Sequence, residues 1–112
     1  MNEKLKNNPV VLDILAYLKE SFEIEGESAE ELVVSFIESV AEHITEADAF
    51  LSSASWTDLS RVGHTLKGSG ANVGANALSE VGKALEFAAK AEDAAACSAS
   101  IARLKEMYSE LK

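Results

Sequence analysis

Apolar residues in this chain recur every three or four positions, and no stretch alternates apolar and polar residues as a half-buried strand does. This spacing predicts an all-α protein. A first helix is expected over about residues 9–24, because Asn8 is a favoured N-terminal cap and Pro9 suits the first turn of a helix. One face of this helix carries the apolar residues Val11, Ile14, Leu15, Leu18 and Phe22.

The second predicted helix follows a break in the apolar pattern around Gly26. Ser28 and Glu31 have the spacing of a capping box, which favours a helix start at Ser28. Helical spacing then continues to about residue 51 in the apolar residues Leu32, Val33, Phe36, Ile37, Val40, Ile44, Ala47 and Leu51.

A third helix is expected to begin at Trp56, with Ser55 as its cap, and to end near Val73. Gly74 marks that end, because glycine readily takes the left-handed conformation that commonly terminates a helix. A fourth helix carries Leu78, Val81 and Leu85, and a fifth, after Glu92–Asp93, carries Cys97, Ile101, Leu104, Tyr108 and Leu111.

Short connections between these helices require neighbouring helices to run antiparallel. The economical architecture is an up-down antiparallel four-helix bundle over about residues 28–111, with an additional N-terminal helix packed against it. A chain of 112 residues suffices for one hydrophobic core, so we expect a single domain over residues 1–112.

Composition and charge narrow the functional classes. Hydrophobic residues make up 47% of the chain and charged residues 26%, which is typical of a folded protein. The net charge of −9 argues against binding to nucleic acid or to an anionic membrane surface. The chain shows no signal segment, no run long enough for a bilayer span and one cysteine, Cys97, so the cytoplasm is the expected location.

The third helix carries the candidate chemistry. On a helical wheel its apolar residues form one narrow buried stripe, and His64 lies roughly opposite that stripe, facing solvent. Its exposed neighbours are Ser60, Lys67, Gly68 and Ala71, whereas long charged residues usually fill such a face. The surface around the histidine is therefore expected to be nearly bare.

Three glycines lie inside this helix, each at a cost of about 1 kcal/mol relative to alanine. Gly63 and Gly70 point towards the core side, where they allow close helix packing. Gly68 faces outward, one turn after His64, where packing does not explain it. We interpret Gly68 as clearance that lets another protein approach the imidazole.

Lys67 shares the exposed face with His64, so its ammonium can reach a group attached to the ring. An exposed imidazole is mostly uncharged at neutral pH and has a nucleophilic nitrogen. A phosphoryl group on that nitrogen would make a charge-assisted contact with Lys67. The sequence offers no general base, oxyanion hole or metal cluster, so the histidine would carry the group without catalysing its own loading.

The segment from His64 to Gly74 reads HTLKGSGANVG, and the pattern continues to Leu78, Leu85 and Glu86. It resembles the signature of the histidine-containing phosphotransfer (HPt) domain. That signature is histidine, any residue, leucine, lysine, glycine and serine, with a glycine ten residues after the histidine. The resemblance covers about residues 28–111.

The resemblance implies a step in a phosphorelay. The family's histidine accepts a phosphoryl group from the aspartyl phosphate of a receiver domain, in a hybrid sensor kinase or a response regulator, and passes it to another receiver aspartate. His64 matches the phosphorylated histidine, Lys67 the lysine near the phosphate and Gly68 the glycine that clears the docking surface. Mg²⁺ and the catalytic side chains belong to the receiver, so the chain is expected to be a carrier without cofactor or metal. A monomer is the default expectation, since the histidine can act without symmetry, although no sequence feature excludes a dimer.

Two other functions are weighed beside this one. A non-phosphorylated helical adaptor for receiver domains would not need His64. A histidine kinase would need an ATP-binding domain, for which 112 residues leave no room. The other histidine, His43, falls near the edge of the second helix's apolar face and is interpreted as structural and partly buried. A metal site joining His43 and His64 lacks a third ligand.

Overall fold

The computed structural model describes all residues from 1 to 112 and contains helices and no strand, which confirms the all-α prediction. The helices are α1 (Glu3–Lys6), α2 (Pro9–Phe22), α3 (Glu27–Ser52), α4 (Trp56–Asn72), α5 (Asn76–Lys90) and α6 (Ala94–Ser109). The short α1 was not anticipated from the sequence. No helix combines the length and the apolar character that a bilayer span requires.

Helices α3 to α6 form the predicted up-down bundle. Each packs against two others, in the cyclic order α3, α4, α5, α6, and α2 packs on the outside of α3. The 26 residues of α3 make it the longest helix, and it accounts for the 42 Å length of the molecule. One core of 23 buried hydrophobic residues joins all the helices except α1. The predicted additional N-terminal helix is α2.

Helix α2 covers the end of the bundle that contains the α4–α5 turn. It begins at Pro9 as predicted, because the Asn8 side chain accepts hydrogen bonds from the backbone of the first turn. The Asn8 amide also donates to the Glu110 carbonyl at 3.2 Å, which ties α2 to the end of α6. Tyr17 packs directly on Gly74, so a side chain at Gly74 would collide with it. Phe22, predicted in the buried face, is instead 57% exposed.

The helix ends test the capping predictions. Helix α4 ends at Asn72, and Gly74 follows with φ of 80°, as predicted. The Ser28 capping box is wrong, because α3 begins one residue earlier, with Gly26 at the cap position and no side-chain cap. Ser55 does occupy the cap position of α4, but its hydroxyl bonds to Ser53 and caps nothing.

Candidate functional site

His64 lies at the middle of α4, and its side chain is 66% exposed. Leu59 and Leu66, on the opposite face of the helix, are fully buried in the core. Burial of that apolar stripe fixes the rotation of α4 about its axis, and this rotation turns the imidazole outward. The predicted exposure of His64 is confirmed.

Helices α4 and α5 approach each other so closely that their backbones touch. A Cβ atom on Gly63 would lie 2.5 Å from the Glu86 nitrogen, and one on Gly82 would lie 2.6 Å from the Lys67 nitrogen. A Cβ on Gly70 would also meet the backbone of α5, at Ser79. Both predicted core-side glycines therefore serve helix packing, and Gly82 completes the contact from α5.

This close approach brings the side chain of Glu86 beside His64. Its carboxylate is 7% exposed and contacts three cationic or titratable groups. Glu86 Oε2 lies 3.0 Å from His64 Nδ1 and 3.3 Å from Lys90 Nζ, and Oε1 lies 3.2 Å from Lys67 Nζ. A nearly buried carboxylate is thus paired at both oxygens, which is the condition under which burying such a charge is tolerated.

The surroundings of Glu86 keep it ionised. Burial raises the pKa of this carboxyl group, but the hydrogen bonds from Lys67, His64 and Lys90 lower it by more, so the net pKa falls below the usual 4.5. A group with a lowered pKa is a carboxylate at neutral pH and can only accept hydrogen bonds. Glu86 therefore acts as a fixed acceptor beside the ring.

That acceptor selects one form of the imidazole. Because Glu86 Oε2 accepts at 3.0 Å, the proton of the neutral His64 ring resides on Nδ1. The lone pair is then on Nε2, the nitrogen farther from Glu86. The ring is held in orientation through one nitrogen, while the other nitrogen keeps its lone pair.

Lys67 lies beside the histidine as expected, but its ammonium is paired with Glu86. The sequence predicted a lysine free to reach a group on the ring, but not the buried carboxylate that binds its ammonium. The Lys67 side chain is 37% exposed, so its ammonium remains at the surface of the site.

Gly68 lies on the open side of His64. A Cβ atom placed on it would meet nothing within 4 Å, in contrast to the other three glycines of α4 and α5. The neighbouring Ala71 is exposed and small. The surface at Gly68 is therefore clear of the chain's own side chains, as predicted.

Glu86 and Lys90 are the residues that sequence reasoning missed. Glu86 was noted as part of the resemblance without a role. A signal was present, because Ser79, Gly82 and Glu86 follow one another at helical spacing, so that a glutamate extends a stripe of small residues. A carboxylate on such a closely packed stripe needs cations nearby, and Lys90 stands one turn further along the helix.

The other residues with reactive side chains, His43 and Cys97, make their contacts outside this site. His43 Nδ1 lies 3.0 Å from Glu46 Oε1, and the half-buried ring agrees with the predicted structural role. Cys97 is fully buried in the core, and burial raises the pKa of its thiol. No group of three or more histidine, cysteine or carboxylate side chains is arranged to hold a metal ion.

Comparison with known proteins adds one match. The family model of the Hpt domain matches residues 31–112 of the chain. This range begins in the second turn of α3 and includes the whole of α4 and α5, and so every residue of the site. No curated protein and no solved structure matches the chain.

Proposed function

This chain belongs to the Hpt domain family, and on that premise we propose that Nε2 of His64 carries a phosphoryl group between receiver domains. Hpt domains are carriers in histidine phosphotransfer, and they interact with the receiver domains of two-component systems. The proposal assigns that role in this chain to one atom and its neighbours.

The transfer step follows from the tautomer. The lone pair on His64 Nε2 attacks the phosphorus of a receiver's aspartyl phosphate, and the N–P bond forms as the P–O bond to aspartate breaks. The bonding electron pair leaves with the aspartate, which becomes a free carboxylate. No proton has to move in this step, because Nδ1 keeps the proton that it already donates to Glu86.

The product is a phosphorylated ring with a proton on Nδ1, which therefore bears a positive charge. Glu86 offsets that charge at 3.0 Å. Lys67, one turn along the same helix face, offers its ammonium to the phosphoryl oxygens. The reverse step uses the same groups, because the ring leaves as neutral imidazole when a second receiver aspartate takes the phosphoryl group.

Catalytic groups for these steps are proposed to come from the receiver. We assign Mg²⁺ to the receiver's own carboxylates, and this chain supplies a positioned nucleophile and a cation. The clear surface at Gly68 supports close approach of the receiver backbone to the ring. The docking groove is proposed on the exposed parts of α3 and α4 beside His64.

A single observation carries the proposal. His64 is anchored through Nδ1 to a buried carboxylate while two thirds of its side chain stays exposed. A structural histidine would bury its ring, and a surface histidine of no function would have no need of a buried partner. Anchoring one nitrogen and exposing the ring suits a nucleophile that waits for a partner.

The test is phosphoryl transfer from a phosphorylated receiver domain to the purified chain. We expect a phosphoprotein that is labile in acid and stable in alkali. His64→Gln should abolish the labelling while the circular dichroism spectrum stays helical. His43→Gln is the matched control and should label like the wild type. Label that persists in His64→Gln would overturn the proposal, and receiver binding without any transfer would favour the adaptor function.

A further inference from the structure

The site holds two lysines, and its proposed chemistry accounts for only one of them. Lys67 comes from α4 and reaches Glu86 Oε1 at 3.2 Å. Lys90 comes from α5, four residues after Glu86, and reaches Oε2 at 3.3 Å. Because α4 and α5 run antiparallel, the two lysines approach the carboxylate from opposite directions along the helix axes.

The second lysine matters once His64 is phosphorylated. The phosphoryl group carries a charge of about −2 and attracts an ammonium within its reach, and Lys67 stands one turn after His64 on the same helix. Glu86 has little access to water, with 7% of its side chain exposed, so it depends on cations for compensation. If Lys67 were its main partner, each phosphorylation would weaken the pairing of a buried carboxylate.

We infer that Lys90 is a positioning residue that keeps Glu86 paired and in place when Lys67 turns to the phosphoryl group. Lys90 contacts Oε2, the same oxygen that accepts from His64 Nδ1, so it holds the acceptor that orients the ring. This inference rests on the proposed phosphorylation of His64 and extends it to a residue that acts through Glu86.

Charge balance in the phosphorylated site supports the inference. Glu86 and the phosphoryl group together bring about three negative charges. The protonated ring, Lys67 and Lys90 bring three positive charges. Without Lys90 the half-buried site would retain a net negative charge, which raises the free energy of the phosphorylated state relative to the free state.

The first experiment does not require phosphorylation, because Lys67→Gln imitates the departure of Lys67. We expect Lys67→Gln and Lys90→Gln each to raise the unfolding equilibrium constant of the chain by about threefold to fivefold. The double variant should exceed the product of the two single effects at least about threefold, since it leaves Glu86 without an ammonium. A double effect equal to the product would overturn the inference.

Two controls accompany this cycle. Lys90→Arg keeps the charge and should restore the wild-type behaviour. Lys83 is an exposed lysine of the same helix, and it does not contact Glu86. The effects of Lys83→Gln and Lys67→Gln on the unfolding equilibrium constant should therefore combine as a simple product. An excess of the same size with Lys83→Gln would overturn the specific role of Lys90.

The second experiment uses phosphoramidate as a small-molecule donor, so no receiver is needed. Without Lys90, Lys67 is expected to stay with Glu86, so the phosphoryl oxygens lose a charge-assisted contact that stabilises the phosphorylated chain. Lys90→Gln should shorten the phosphohistidine half-life by about threefold to fivefold. In the Glu86→Gln background, Lys90→Gln should leave the phosphohistidine half-life unchanged, because Lys90 is inferred to act through Glu86. A half-life unchanged by Lys90→Gln, or shortened equally in that background, contradicts the inference.

The two experiments separate the possible failures. If phosphoramidate does not load His64, the proposed function fails, while the unfolding cycle still decides whether Lys90 keeps Glu86 paired. If phosphoramidate phosphorylates His64 but the double variant's effect on unfolding equals the product of the single effects, the proposed function stands and the role of Lys90 is wrong.

Discussion

The two histidines of this chain make the same contact in opposite surroundings. Each has its Nδ1 atom 3.0 Å from a glutamate oxygen. At His43 the side chain is 22% exposed and the carboxylate of Glu46 is 51% exposed. At His64 the side chain is 66% exposed and the carboxylate of Glu86 is 7% exposed. The less exposed member of the pair is the ring in the first case and the carboxylate in the second.

The difference decides what each ring can do. Glu46 belongs to the same helix as His43, and its exposed carboxylate can leave the ring at little cost. Glu86 comes from another helix and is fixed by packing and by two lysines, so it holds the proton on one nitrogen of an exposed ring. A fixed acceptor behind an exposed ring suits the nucleophile that we propose at His64, whereas a loose acceptor over a half-buried ring suits a structural contact.

The largest effect is expected from removing the close helix contact behind His64. In Gly63→Ala the added methyl group would press on the backbone of Glu86 and separate α4 from α5, costing about 3 kcal/mol of stability. Denaturant unfolding measures this loss. In nuclear magnetic resonance spectra the His64 ring signals should shift while those of His43 stay in place. Wild-type stability of Gly63→Ala would show that the close contact is not required.

The second largest effect on stability is expected from replacing the glutamate that contacts each histidine. Glu86→Gln removes a buried charge that accepts three hydrogen bonds, and we expect a loss of about 2 kcal/mol in unfolding free energy. Glu46→Gln, the matched control on the exposed pair, should cost less than about 0.5 kcal/mol. Equal losses from the two variants would remove the distinction between the two histidines.

The pH dependence of stability tests the pairing of Glu86. Because the folded-state pKa of Glu86 lies below the usual 4.5, the unfolded chain binds this proton more readily than the folded chain. The stabilisation is therefore complete well above pH 4.5 and is lost as the pH falls through the lowered folded value. The gap in unfolding free energy between wild type and Glu86→Gln should shrink towards low pH. A gap that widens there would contradict the assigned direction.

The smallest effect on stability is expected from a substitution at Gly68, on the open side of His64. Gly68→Ala adds a methyl group where nothing lies within 4 Å, so it should gain about 0.5 to 1 kcal/mol through helix propensity. Thermal or denaturant unfolding measures the gain. Loss of stability in Gly68→Ala would mean that Gly68, like Gly63, is needed for packing, and the reading of Gly68 as clearance would fail.

Much of the fold follows from the sequence because apolar spacing and capping residues act locally. The start of α2 and the turn at Gly74 were predicted from residues at those positions, and the start of α4 was placed correctly although the Ser55 side chain makes no cap. The Ser28 capping box was misplaced, because Gly26 and packing of α3 decided that helix start. The breaks before α4 and α6 were also placed, at Ser55 and after Glu92–Asp93. The left-handed conformation of Ala54 and Glu92 in these turns was not predicted, because neither residue is the glycine that usually adopts it.

The site was predictable only in part, for a similar reason. His64, Lys67 and Gly68 lie on one helix, and their spacing places them on one face. Glu86 and Lys90 come from the next helix, and their contacts depend on how closely α4 approaches α5. That distance is fixed by Gly63 and Gly82 together, a pair of residues nineteen positions apart whose fit no local pattern reveals.

The most direct test of the account is to identify the phosphorylated nitrogen. The chain has two histidines, so ¹⁵N-histidine labelling and loading with phosphoramidate give spectra that can be assigned with His43→Gln. We predict phosphorus on Nε2 of His64 and a proton retained on Nδ1. Phosphorus on Nδ1 of His64, or on His43, would contradict the claim that Glu86 positions the nucleophile.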